Sequence, residues 1–335
     1  MRRMTLPLVT VVVPACNAEP WIGDSLGSVV AQSYPKESME IVVVDDGSTD
    51  RTIAIANELL EESGVAHTIL SNPAPLGPSA ARNRGWRSGR GQWIQFLDAD
   101  DRLAPSKVAL QARVASQAPL QIAALHSHWA QLVFRGGDWI EATPHAPADT
   151  GDDPLADLLR PDNFMQLGCL LFSRKWLERV HGFNESIRLI EDVDLLLRLA
   201  MSGAALQRVP TPQPMSWYRQ HPGSLSKSDD QGFVEGCLRN ARLVERYWRD
   251  GGNLRPARAS ALAGVYFMGA RFFSGRDPEV FNALVRDIYK LDPNFVPKAP
   301  RTLRILTRLF GYPRAERCAV QYRRLKRSIR PQPSA

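Results

Sequence analysis

The sequence predicts an α/β protein: a mostly parallel sheet flanked by helices, followed by a helical C-terminal region. Three observations carry this. In the first hundred residues short apolar runs alternate with helical spacings, the pattern of strands joined by crossover helices and covered on both faces. Polar, acid-rich clusters stand directly behind three of those runs, "PACN", "DDGSTD" and "DADD". Beyond "QHPGSLSKSDD" the strand patterns stop and helical spacing continues to the end.

The elements follow in order. "LVTVVV", Leu8 to Val13, reads as the first strand, and Pro20 to Gln32 as a helix with Ile22, Leu26, Val29 and Val30 on one side. Glu40 to Asp46 is the second strand, and Asp50 to Ser63 a helix with Asp50 at its N-cap. Then come a strand at His67 to Ser71, a helix over Pro78 to Ser88 and a strand over Gln92 to Leu97. A helix from Lys107 to about Gln117 precedes a single strand, Ile122 to Phe134; Met165 to Ser173 reads as another strand and Ile190 to Ser202 as a helix. The helical region breaks at Gly251-Gly252, near Gly275 and across "LDPNFVPKAP". The expected division is an α/β domain over 1–228 and a helical, basic extension over 229–335.

The 335 residues, 44% of them hydrophobic, allow one large or two modest domains. Charge is uneven. From Arg301 onward ten Arg or Lys face one Glu, a local +9, so the rest of a chain of net charge +7 sums to −2. No apolar run approaches the ~20 residues of a membrane-spanning helix. "LPLVTVVVPA" behind two arginines, and "VPAC" before Cys16, superficially fit a signal or lipoprotein segment but read as a buried first strand. Cys16, Cys169, Cys237 and Cys318 are scattered without CxxC spacing, which argues against a zinc ribbon or disulfide scaffold and for a cytoplasmic setting.

Ligands of such sheets bind beyond the carboxyl ends of the strands, so the three polar clusters are expected to line one rim. In "FLDADDRL", Asp98, Asp100 and Asp101 put three carboxylates into four positions, where mutual repulsion demands compensation. On an extended segment Asp98 and Asp100 face one way and can share an Mg²⁺ or Mn²⁺ ion. Asp101 reads as the cap of the helix beginning near Pro105, and the whole cluster can also be read as a capping turn. Asp45 and Asp46 sit at a strand end where a carboxylate can accept a base N–H, while Gly47 turns the chain and Ser48 or Asp50 caps the next helix. Neither G-x-G-x-x-G nor G-x-x-x-x-G-K-[ST] is present, so a bound phosphate needs a metal. Glu191, Asp192 and Asp194 open a helix, where acids suit the dipole. One of them can serve as a general base; Asp192 is favoured, although spacing alone does not separate it from Glu191. His221, with Ser224 and Ser226, lies in a Pro/Gly loop as a ligand contact or an idle surface histidine. His126 and His128 have one-face strand spacing but no third ligand nearby, and are not expected to bind metal.

Taken together, "VTVVVPACNAEPWIGDSLGSVVAQSYPKESMEIVVVDDGSTDRT", "PLGPSAARNRGWRSGRGQWIQFLDADD", "LIEDVDLLLRLA" and "YRQHPGSLS" resemble, in order and spacing, the inverting family-2 glycosyltransferases of GT-A fold, from about Pro7 to Ser226. The resemblance implies a Rossmann-like sheet, with a nucleotide-sugar half over about 1–101 and an acceptor half over about 102–228. It implies metal-dependent, inverting transfer from a nucleotide-diphospho-sugar to a hydroxyl acceptor, in cell-surface polysaccharide or glycoconjugate synthesis. Pro14, Ala15 and Asn17 would line the nucleotide pocket, Asp46 would contact the base and Asp45 support it. Arg82 and Asn83 would sit beside the nucleotide and order the site. Asp98 and Asp100 match the DxD motif that holds Mn²⁺ or Mg²⁺ on the diphosphate, Asp192 the catalytic base, and His221 a residue near metal and diphosphate. A UDP-sugar is the commonest donor in the family, and the acceptor would be a sugar or lipid-linked glycan. Cys16 departs from the family, where many members have an aromatic or other polar residue, and 142–166 carries no readable pattern.

Two rival functions are weaker. A sugar-phosphate nucleotidylyltransferase should show a Gly-rich phosphate loop where this chain has "PACN"; a non-catalytic binding module should lose the DxD or the base, and both are present. The tail "RTLRILTRLFGYPRAERCAVQYRRLKRSIR" reads two ways. Either it lies as a basic amphipathic surface on an anionic membrane at the inner face, or it packs on the catalytic domain with its arginines in water. It lacks a base-reading motif, so nucleic acid is not an expected partner.

Overall fold

The computed structural model describes residues 6–142, 144–148, 151, 153–160, 163–224 and 229–329. Ser226, Arg330 and parts of the 142–166 segment lie outside the described residues. The chain forms two compact units, 1–228 and 229–335.

In the first unit β1 (Val9–Ala15), β2 (Met39–Asp45), β3 (Ala66–Ser71) and β4 (Trp93–Phe96) lie parallel in the order β3-β2-β1-β4. They are linked by α1 (Ile22–Val30), α2 (Thr52–Glu61) and α3 (Pro78–Ser88). Alternate strand residues point to opposite faces, and each face has a helical cover. Val9, Val11 and Val13 of β1 and Ile41 and Val43 of β2 pack with Ile22, Leu26 and Val29 of α1. On the other face Val42 and Val44 pack with Ala81 of α3. That is why the strands are unbroken apolar runs. From β1 the chain steps through β2 to β3, then β4 returns to the other side of β1. This reversal opens a crevice beyond the carboxyl ends of β1 and β4.

The rest of the unit is β5 (Arg102–Leu103), α4 (Lys107–Ala115), β6 (Ile122–His126), β7 (Trp129–Arg135), β8 (Asp138–Glu141), α5 (Pro154–Leu158), β9 (Leu170–Ser173), α6 (Arg174–Arg179), α7 (Glu191–Met201), β10 (Ala205–Arg208) and β11 (Ser216–Gln220). β9 pairs antiparallel with β4 and β6, and β10 completes a seven-stranded sheet; β5, β11, β7 and β8 form a second, four-stranded sheet.

Two expectations need correction. Ile122 to Phe134 is not one strand, because the Ser127 N–H donates to the Cys169 carbonyl at 3.2 Å and the chain leaves one sheet for the other. His126 is therefore buried at the end of β6, and His128 belongs to neither strand. Met165 to Ser173 is extended only over β9, since Leu167–Cys169 forms a 3₁₀ turn.

The second unit contains α8 (Asp230–Asp250), α9 (Pro256–Phe273), α10 (Pro278–Leu291), α11 (Arg301–Phe310) and α12 (Tyr312–Ile329). Trp248, Tyr266, Phe281 and Tyr312 are buried in it. Asp229 and Asp277 cap two helices by accepting backbone N–H groups. The expected breaks are present, and Gly311, at φ 76°, adds one between α11 and α12. Among the described residues no helix is long and apolar enough to cross a membrane.

The helix that carries Arg82 and Asn83 depends on close approach to the sheet at one glycine. A Cβ on Gly85 would stand 2.3 Å from Val12 Cγ1 and 3.1 Å from Val44 Cγ2. Overpacking of this kind costs ~1–3 kcal/mol, more than the ~1 kcal/mol that alanine gains over glycine in a helix. Gly85→Ala is expected to lower stability in chemical denaturation despite its better helix propensity.

Candidate active site at the rim of the parallel sheet

The rim is built from three strand ends. Asp45 ends β2 in register with Ala15 of β1, and Asp98 follows β4 on the other side of β1. All three polar clusters thus lie at adjacent carboxyl ends.

The β1 and β2 ends hold each other. Asn17, at φ 48°, receives a Thr49 N–H at 2.9 Å on its side-chain oxygen, and its own N–H donates to Ser48 Oγ at 3.0 Å. Asp45 accepts the Ser48 N–H at 2.9 Å. Asp46 is buried and accepts three hydrogen bonds, from Asn72 Nδ2 at 2.7 Å and from the N–H groups of Leu76 at 2.9 Å and Gly77 at 2.8 Å. A carboxylate has about four acceptor positions, so one remains. Asp50, not Ser48, takes the Thr52 N–H at the start of α2, at 3.0 Å. Pro14 and Ala15 are the last strand positions before this loop, and Cys16 is exposed beside it.

Behind β4 the three aspartates separate into two kinds. Asp98 Oδ1 meets Arg82 Nη2 at 2.6 Å, and Asp100 Oδ2 lies 2.9 Å from His221 Nε2. One oxygen of each is left without a side-chain partner among the described residues. Burial, and then the charge of Asp98, push the Asp100 carboxyl above its ordinary range, with His221 working the other way. Asp101 is fully buried and accepts from the Arg219 N–H at 2.9 Å and from Gln166 Nε2 at 2.6 Å. It does not cap α4, which starts behind Ser106. Its oxygens anchor the loop from inside, and burial with Asp100 and Asp98 nearby pushes its carboxyl well up.

Arg219 finishes this clamp. Its Nε donates to the Asp100 carbonyl at 2.7 Å, its Nη2 meets Asp24 at 2.5 Å, and its guanidinium lies over the rings of Trp21 and Trp139. Trp21 also packs against the His221 ring, with centroids 5.1 Å apart. Sequence spacing did not point to Arg219, Gln166, Asp24 or Trp21.

Helix α7 brings the last group. Its N-cap, Ile190, is a β-branched residue at φ 66°, a conformation that costs energy and needs its surroundings to hold it. The three acids behind it have different fates. Glu191 pairs with Arg82 Nη1 at 2.7 Å, and Asp194 pairs with Arg198 at 2.7 Å. Asp192 has no cation partner among the described residues and accepts only its neighbour's Val193 N–H, at 2.8 Å. Burial and the adjacent Glu191 charge raise it to about 7. Arg82 is buried between Asp98 and Glu191, and these two charges outweigh its burial and raise its pKa. Asn83 spends its amide inside the protein, donating to the Phe183 carbonyl and Glu185 and accepting from Trp86 Nε1 and the Phe183 N–H. It braces the segment leading to α7.

Among the described residues no three His, Cys, Asp or Glu side chains form a ready metal cage. Mg²⁺ is usually held by one or two carboxylates together with substrate phosphates, not by an all-protein cage. Two rim carboxylates that each keep an oxygen, with a carboxyl pushed up by its neighbour, fit such a cation.

An acid-lined crevice at the switch point of this sheet is the arrangement of GT-A-type transferases. Residues 10–180 match the family model for glycosyl transferase family 2, and the chain belongs to that family of transferase enzymes. It is 36% identical over 108 residues to an uncharacterized glycosyltransferase of Haemophilus influenzae, a match spanning 32% of this chain and 42% of that relative. It is 30% identical over 200 residues to the putative teichuronic acid biosynthesis glycosyltransferase TuaG of Bacillus subtilis, covering 59% of this chain and 73% of that one. The crystal structure of S. aureus TarS 1–349 in complex with UDP-GlcNAc shares the fold, with a TM-score of 0.69 at 18% identity over 95% of this chain and 92% of that one.

Removing one member of a buried ion-pair set strands the others and typically costs ~3–5 kcal/mol. Arg82→Met is therefore expected to destabilise the first unit by about that amount at neutral pH. The check is chemical denaturation followed by a probe in that unit.

Proposed function

We propose that the chain is a metal-dependent, inverting glycosyltransferase that moves a sugar from a nucleotide-diphosphate donor to a hydroxyl acceptor in the synthesis of a cell-surface polysaccharide or glycoconjugate. The observation that carries this reading is the division of acids at the rim. Among the described residues Asp192 alone of the α7 acids lacks a cation partner, and it is raised to about 7, while Asp98 and Asp100 each keep an oxygen without a side-chain partner.

A general base works best with a pKa near the working pH. Asp192 takes the proton of the acceptor hydroxyl as its oxygen attacks the anomeric carbon. The bond from that carbon to the diphosphate oxygen breaks, and the electron pair leaves with the nucleoside diphosphate. With a single base and no carboxylate nucleophile in the proposal, one displacement inverts the anomeric centre. Arg82 sets one positive charge against Glu191 and Asp98 and works to lower the Asp192 pKa, so Asp192 can still ionise near neutral pH. Asp98 and Asp100, with His221 across Asp100, would hold Mn²⁺ or Mg²⁺, which when bound supplies positive charge to the leaving diphosphate. The end of β1, with Pro14, Ala15 and Asn17, lines the nucleotide side. Asp46 offers its remaining acceptor position to a base N–H, and Asp45 shapes the turn beneath it. The name of TuaG supports a cell-surface polysaccharide, and the UDP-GlcNAc complex of TarS supports a UDP-sugar donor.

The first test is calorimetric binding of uridine, guanosine and thymidine diphosphates with Mn²⁺ or with a chelator. One nucleotide is expected to bind in a metal-dependent manner, and Asp98→Ala/Asp100→Ala is expected to abolish that binding. No binding of any nucleotide by folded wild-type protein would sink the assignment.

The second test separates the base from the donor site. Asp192→Asn is expected to keep nucleotide binding while turnover falls by about 10²–10⁴-fold, the usual contribution of a positioned base. The carboxylate is the working form, and its surroundings are Glu191, Arg82 and Asp98. Wild-type kcat/KM should therefore be flat above pH about 7 and fall about tenfold per unit below it. That limb should vanish in the residual activity of Asp192→Asn.

A further inference from the structure

We infer that α11 and α12 form a docking surface for an anionic lipid bilayer. The inference rests on the second unit alone and is independent of the chemistry proposed for the rim.

In α11 one side faces inward through Leu303 and Thr307, four residues apart and both buried. The opposite side carries Ile305 and Leu309, also four apart and 56% and 67% exposed, and Phe310 at the helix end is 56% exposed. At 100° per residue Arg301, Arg304 and Arg308 fall on an arc beside the Ile305–Leu309 stripe, so basic and apolar side chains lie next to each other on the solvent side. In α12 Tyr322 and Leu325, three residues apart, are 67% and 64% exposed, and Arg314 and Arg317 are exposed. Soluble surfaces rarely gather this many large apolar side chains without a partner.

Charge selects the partner. Arg301 to Ile329 contains nine Arg or Lys and one acid, Glu316. That acid is fully buried and turned inward to Arg323 at 2.5 Å and Arg271 at 3.9 Å. The outer face is thus positive without an exposed acid among the described residues. A second copy docking through this face would set arginine against arginine, since a two-fold interface presents the same patch twice. A nucleic acid would satisfy the arginines but give Ile305, Leu309, Phe310 and Leu325 nothing to bury against. A bilayer with anionic headgroups satisfies both, with arginines at the phosphates and the apolar stripe among the upper acyl carbons.

The test is co-sedimentation of the full chain with phosphatidylcholine vesicles with and without phosphatidylglycerol. The protein should pellet with the anionic vesicles only and be released by high salt. Ile305→Ser/Leu309→Ser and Arg301→Gln/Arg308→Gln change exposed positions, so each should keep its circular dichroism and melting temperature. Each should weaken vesicle binding by at least about tenfold. Equal binding to neutral vesicles, no binding by folded wild type, or unchanged binding by both variants would overturn the proposal. So would self-association that the Leu309 variant abolishes, or binding of duplex DNA in preference to anionic vesicles.

Discussion

One buried guanidinium holds the rim together. Arg82 lies between Asp98, just past β4, and Glu191, at the start of α7. Without it two carboxylates from distant parts of the chain would face each other across a partly buried rim, where like charges repel more than in water. With it, one positive charge is shared between both carboxylates. The position of α3 on the sheet therefore sets the distance between two functional groups that no strand connects, and Asn83, the next residue, ties the same helix to Phe183 and Glu185. Both residues use the close seat that Gly85 permits.

The acids of the rim divide by what faces them. Asp101, Glu191 and Asp194 are engaged inside the protein by Gln166, Arg219, Arg82 and Arg198. Asp98, Asp100 and Asp192 keep acceptor capacity. The difference is not one of residue type, because aspartates fall in both groups, nor of helix position, because Glu191 and Asp192 are adjacent on one turn. It comes from exposure: Asp101, Glu191 and Asp194 are buried, whereas Asp98, Asp100 and Asp192 are partly exposed. The buried set fixes the geometry, and the partly exposed set lines the open side of the rim.

Much of this was legible in the sequence where the signal is local. The β1, β2 and β4 runs, their crossover helices and the clusters behind them follow from periodicity and from the rule that parallel sheets present their carboxyl ends to ligands. What the sequence could not show depends on distant partners. Arg82 and Glu191 are 109 residues apart, and Asp24 and Arg219 are 195 apart, so the choice between Glu191 and Asp192 had no local signature. Asp101 looks like a helix cap in the sequence because a polar residue ahead of a helix looks the same whether it caps that helix or clamps a loop from within. The split of Ile122 to Phe134 into two strands of different sheets was hidden for the same reason, since Ser127 turns the chain by bonding to Cys169, 42 residues on.

The left-handed backbone of Ile190 has an evolutionary consequence. A β-branched residue is a poor occupant of that conformation, and glycine or asparagine would take it at lower cost. Selection for thermal robustness alone would push position 190 toward those residues. Glycine there would also free the backbone that sets the direction in which Glu191 and Asp192 emerge. Position 190 is thus a place where the cheaper backbone and the better-fixed helix entry favour different residues.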